Sequence, residues 1–208
     1  WAPSTSSTEY LPTWSFASVP YNVSSSQIDM ASISGFDYTP PIYFIFTLDN
    51  SSCPAGHAGN GGTSSTGQTG TSYSDTELDA NKCYGYTVRS RDFVDPYNVG
   101  TASDIFYTYT SANTPGTPTL SNATISTLDL TNDSNGNPTS NPDTLYAAQV
   151  TSANPDDSAW IDKWVNAEGN RTDFETWLTD SELDAVVLQN LQQGTEYGIS
   201  IKAKRETH

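Results

Sequence analysis

The sequence predicts an all-β chain folded as two consecutive β-sandwiches. Three observations carry that prediction. The chain has 12 Tyr, 14 Gly and 12 Pro against a single Met, a balance that favours strands and turns over helices. Its apolar residues alternate over short runs separated by turn signals, the period of a half-buried strand. The chain also repeats itself: residues 126–130 (STLDL) echo 26–30 (SQIDM) 100 positions on, and 191–204 (LQQGTEYGISIKAK) echo 78–91 (LDANKCYGYTVRSR) 113 positions on. Residues 1–18 are then an N-terminal arm, 19–113 a first sandwich and 114–208 a second.

The elements follow in order. Residues 26–30 alternate and predict a strand. The apolar run 41–48 (PIYFIFTL) predicts the heart of the first sandwich. Residues 50–71 form a Gly/Ser/Thr loop without periodicity. It is long for a compact domain and must be functional or pinned. Residues 78–91 place Tyr84, Tyr86 and Val88 on one face, and 103–110 close the domain. The stretch 113–118 (NTPGTP) is a stiff linker. In the second half, 126–130 and 145–150 repeat earlier strands, and 132–143 is turn-rich. Strand material is expected at 160–167, 174–178 and 184–191, and a long strand at 196–204.

Charge and composition exclude several functions. With 8 basic against 24 acidic residues the net charge is −16, which argues against a partner with a phosphate backbone. No apolar run approaches the roughly 18 residues of a membrane span. No signal peptide is legible, and a start at Trp1 fits a processed or a trimmed end. Two cysteines, Cys53 and Cys83, predict one disulfide in an extracellular chain. Five Asn-X-Ser/Thr sequons, at Asn22, Asn50, Asn122, Asn132 and Asn170, are candidate glycosylation sites.

No catalytic constellation is expected. His57 sits in the Gly-rich loop and His208 at the end, neither in a motif. Phosphate loops, nucleophile elbows and zinc-protease helices are missing from the sequence. Asp129, Asn132, Asp133, Asn135 and Asn137 offer oxygens, yet without the first Asp and last Glu of a calcium loop they read as an ordinary turn. Trp160, Trp164 and Trp177 read either as a sugar-stacking platform or as core. No enzyme activity, cofactor or metal is expected.

Residues Leu191 and Tyr197, six apart, followed by Ile199, Ile201 and Ala203 at alternate positions, resemble the corner and penultimate strand of a fibronectin type III domain, an immunoglobulin-like sandwich. Leu78, Tyr84, Tyr86 and Val88 fit the same pattern, and Thr114-Pro115 resembles the family's opening. Residues 160–178 look like such modules in large bacterial surface and secreted proteins. The resemblance implies that the Tyr197 hydroxyl bonds back to the backbone. One departure is the missing Trp of the second strand, near which Ser32 and Asn132 stand.

In this family the penultimate strand pairs with a last one. After 196–204 only Arg205, Glu206, Thr207 and His208 remain. The predicted consequence is an open acceptor edge at Tyr197, Ile199, Ile201 and Ala203. The arm offers a donor. Residues 8–20 (TEYLPTWSFASVP) echo 103–115 (SDIFYTYTSANTP) at an offset of 95 without a gap. Its donor residues are Tyr10, Leu11, Trp14 and Phe16. Tyr10, Trp14 and Phe16 share a face, and burying them offers on the order of 5–9 kcal/mol of gross stabilisation. Pro12 is tolerable on an edge strand. The roughly four residues behind the arm reach about 14 Å, too short for insertion into the chain's own second domain if each domain has a radius of gyration near 13 Å. The expectation is a structural, non-enzymatic extracellular filament subunit, polymerising head to tail with other copies of itself through strand donation. The alternative is a spacer or carbohydrate-binding module pair of a larger secreted enzyme or adhesin, cut from a longer array. Glycans are candidate partners; nucleic acid and a membrane span are not.

Overall fold

The structure, a computed structural model, describes residues 17, 20–34, 41–93, 99–155 and 157–206. The arm residues Tyr10, Leu11, Trp14 and Phe16 lie outside them. The described residues contain thirteen strands and one short α-helix, so the fold is all-β. They divide into two compact units: the first holds residues up to Thr110, and the second holds Ser111–His208 together with Ala55–His57 and Asp79–Lys82.

The first unit comprises β1 (Gln27–Ala31), β2 (Tyr43–Leu48), β3 (Ser72–Thr76), β4 (Cys83–Arg91) and β5 (Phe106–Tyr109). β1 pairs with β3, and β4 lies between β2 and β5, all antiparallel. Alternation dictates the core: Ile28 and Met30 from β1, Phe44 and Phe46 from β2, and Tyr84, Tyr86 and Val88 from β4 meet in one cluster with Leu78.

The 50–71 loop is pinned at three places. Cys53 and Cys83 are disulfide-bonded across a sequence separation of 30, a closure worth roughly 3–4 kcal/mol. Buried Asp75 on β3 accepts from the Thr63 backbone N–H at 2.9 Å and from the Tyr86 hydroxyl at 2.8 Å. The loop also runs beside β2. The β2 amides of Phe44, Phe46 and Leu48 donate to the Gln68 carbonyl, Ser65 Oγ and Ser64 Oγ at 2.7, 2.8 and 2.9 Å. Glycine is required within it: a Cβ on Gly61, at φ +75°, would stand 2.2 Å from the Glu77 carbonyl oxygen.

The second unit comprises β6 (Thr119–Ser121), β7 (Leu128–Thr131), β8 (Thr144–Asn154), β9 (Trp164–Val165), β10 (Arg171–Thr172), β11 (Leu178–Thr179), α1 (Asp180–Asp184), β12 (Val187–Leu188) and β13 (Glu196–Arg205). One sheet runs β12–β7–β6. The other is built on β8, which pairs with β13 along its whole length and with β9 and β11 at Gln149 and Leu145–Tyr146. Leu130, Tyr146, Val150, Trp160, Leu183 and Leu188 are the large, fully buried residues of its core.

Three strand expectations are corrected here. Residues 160–167 give only the two-residue β9, because Asp157 to Lys163 close a turn through the Trp160 and Lys163 amides, bonded to the Asp157 and Trp160 carbonyls. Residues 174–178 contribute only Leu178, and Phe174 stands 79% exposed. Residue 184 ends a helix instead of opening a strand. Thr179 caps that helix reciprocally with Glu182, satisfying two of its free amides.

Burial makes the fold sensitive to alkali. Desolvation pushes the Tyr146 phenol up to about 12, helped by the nearby Asp180 charge. Tyr86 is raised further, first by desolvation and then by its bond to Asp75. The folded state therefore favours the neutral phenol. The stability this contributes is complete below the unfolded value near 10 and is lost as pH climbs through about 12. Denaturant midpoints measured across that window should fall, and less steeply in Tyr146→Phe. A profile identical in both proteins would contradict this.

Candidate strand-accepting edge

β13 alternates because one face meets the core. Tyr197 and Ile201 are each 7% exposed, and Ile199 and Ala203 are half-buried against the same cluster. Glu196, Ser200, Lys202 and Lys204 point outward and are exposed. The Tyr197 hydroxyl donates to Asp157 Oδ2 at 2.6 Å and accepts from the Gln192 backbone N–H at 2.8 Å, fixing the corner before the strand. Burial and the Asp157 bond raise the Tyr197 phenol above its ordinary value. Asp157 carries no periodic signal and was not legible in the sequence.

β4, the counterpart of β13 in the first unit, shows what a complete strand looks like. It pairs with β2 on one edge and β5 on the other. Its core-facing Tyr84, Tyr86 and Val88 are fully buried and Ser90 is 5% exposed. The four equivalent positions of β13 are Tyr197, Ile199, Ile201 and Ala203. Among the described residues β13 has a single partner, β8, and its second edge carries none. Ile199 and Ala203 are less buried than their counterparts Tyr86 and Ser90.

The three tryptophans do not assemble into one platform. Trp160 is 1% exposed and its indole N–H donates to the Asn190 carbonyl at 3.4 Å. Trp164 and Trp177 flank Lys202, whose ammonium lies 4.6 and 5.3 Å from their ring centres, and Lys204 lies 4.1 Å from that of Trp177. Lys202 also pairs with Glu175. Cations thus occupy the ring faces a sugar would need.

The oxygen-rich turn serves the linker. Asn137 Nδ2 donates to the Asn113 and Ser134 carbonyls, and Asn135 Nδ2 to that of Thr114, each at 2.9 Å. Asn132 Nδ2 donates to Asp180 at 2.7 Å, the Asp133 carboxylate accepts from the Asn135 backbone N–H at 3.0 Å, and Asp129 accepts from Asn122 at 2.7 Å. Among the described residues no group of three or more His, Cys, Asp or Glu side chains converges as metal ligands would, and no helix is long and apolar enough to cross a membrane.

No protein-family model and no curated protein matches the chain. Its structural neighbours include a two-domain fibronectin type III segment of chicken tenascin, at 11% identity and a TM-score of 0.48, covering 95% of this chain and 93% of that one. The chicken CNTN1 FN1–FN3 domains match at 14% identity and a TM-score of 0.32, over 90% of this chain and 59% of theirs.

Proposed function

We propose that the chain is a non-enzymatic, extracellular structural subunit whose second sandwich is completed by a strand from another copy. The pairing of β13 with β8 alone, among the described strands, carries this reading. The Cys53–Cys83 disulfide supports the oxidising location. The donor is the arm, because its sequence repeats that of β5 and the surrounding strands repeat as well.

The repeat sets a register. β4 and β5 pair Cys83 with Tyr109, Tyr84 with Thr108, Gly85 with Tyr107 and Tyr86 with Phe106. Shifted by the two sequence offsets, the arm sets Trp14 opposite Glu196, Thr13 opposite Tyr197, Pro12 opposite Gly198 and Leu11 opposite Ile199. Directly opposed residues share a face. Leu11 and Thr13 then turn to the core, and Tyr10, Trp14 and Phe16 to the outer face, one step out of phase with the burial expected of them above.

A cysteine at Leu11 in one copy and at Ile199 in another tests both points. Mixed and oxidised, the Leu11→Cys and Ile199→Cys proteins should form intermolecular disulfides, whereas Tyr10→Cys with Ile199→Cys should not. Filaments of the whole chain should be visible by negative stain and vanish in Leu11→Lys. Discrete monomers without cross-links would favour the second reading, a spacer or adhesion module whose last strand follows in a longer polypeptide.

A further inference from the structure

We propose that Asn22, Asn122 and Asn170 are N-glycosylation sites and that Asn50 and Asn132 are closed to the modification. The sequence makes the five sequons equal, and the structure separates them. Asn22 and Asn122 occupy matching turns 100 residues apart, at φ 48° and 50°, both exposed. Each amide nitrogen donates to a carboxylate seven residues on, Asn22 to Asp29 at 3.1 Å and Asn122 to Asp129 at 2.7 Å. The sequon hydroxyl residues Ser24 and Thr124 are exposed as well. A glycosylated amide keeps one N–H, so each turn retains its Asp bond after modification.

Asn170 is exposed ahead of β10, with its Oδ1 accepting from Asn190 Nδ2 at 3.3 Å. Beside it lies a cleft of about 240 Å³ bounded by Trp160, Arg171, Gln189 and Asn190. Its amide and guanidinium donors suit the hydroxyls and acetamido group of a first sugar. Asn132 is the opposite case. Its Oδ1 is enclosed without a partner, its Nδ2 points into Asp180 at 2.7 Å and its backbone N–H donates to Asp184 at 2.7 Å. A sugar on that nitrogen would displace the first turn of α1. Asn50 is half-buried, with its Oδ1 held by the Gly85 N–H at 2.9 Å three residues before the disulfide.

The chemistry is a transfer from a polyprenyl-diphosphate-linked oligosaccharide. A bond forms between Nδ2 and sugar C1 as the C1–O bond to the diphosphate breaks. The diphosphate leaves with the electron pair, and the amide nitrogen loses one proton.

The full chain, secreted from a host with an Asn-X-Ser/Thr oligosaccharyltransferase alongside a glycosylated control protein, provides the test. Peptide mapping after glycan release in heavy-oxygen water should label Asn22, Asn122 and Asn170 and leave Asn50 and Asn132 unlabelled. The intact mass should lose one glycan step in each of Asn22→Gln, Asn122→Gln and Asn170→Gln. Label at Asn132 in the folded protein, or bare Asn22 and Asn122 while the control is modified, overturns the assignment.

Discussion

Replacing Asp75 with Ala is expected to destabilise the first unit by about 3–5 kcal/mol, because a buried network loses its acceptor while its donors stay buried. Asp75 is 1% exposed. It accepts from the Thr63 backbone at 2.9 Å, the Thr63 hydroxyl at 3.3 Å and the Tyr86 hydroxyl at 2.8 Å. Tyr86 is itself fully buried, so its hydroxyl gains no water in exchange. Tyr86→Phe removes one donor and leaves the Thr63 bonds, at a cost nearer 1 kcal/mol. Urea unfolding with unchanged slope measures both, and amide exchange at Thr63 should quicken only in Asp75→Ala. If the Ala variant lost under about 1 kcal/mol, the carboxylate would not be the anchor of the 50–71 loop.

Trp160→Ala is expected to cost about 3–5 kcal/mol in the second unit, the range for deleting a large buried aromatic. The ring is 1% exposed and sits in the same cluster as Leu130, Tyr146 and Leu188. Trp164→Ala should cost far less, since that ring is half-buried and its face contacts Lys202. Thermal unfolding of the two variants decides the matter. A larger loss in Trp164→Ala would mean that the core is not organised around Trp160.

Trp160 also shows where the sequence could and could not be read. Its residue type admitted both platform and core; only the turn after β8, closed by Asp157, carries the ring inward. It fills the second unit from a position that strand periodicity does not mark. The long strands β4, β8 and β13 were legible because alternation and the internal repeat agree over many residues. The segment 171–188 was not. Its strands are two residues long, below the reach of any period, and the apolar run after residue 184 obscured the capping signal Thr179-Asp-Ser-Glu182 that announces α1. The disulfide was legible from cysteine number. The role of Asp75 was not, because an acid in an alternating strand ordinarily faces water. At the edge itself, the sequence raised the expectation of an open strand, and among the described residues β13 pairs with β8 alone; the face that a proposed donor would offer came from the pairing of β4 with β5.

The loop that shadows β2 has a further effect. Its serines and glutamine engage the outward amides of Phe44, Phe46 and Leu48, so a stray peptide meeting that border finds its hydrogen-bond donors already taken. A crowded suspension of such molecules is thereby guarded against sideways clumping along this border, without a chaperone to cover it.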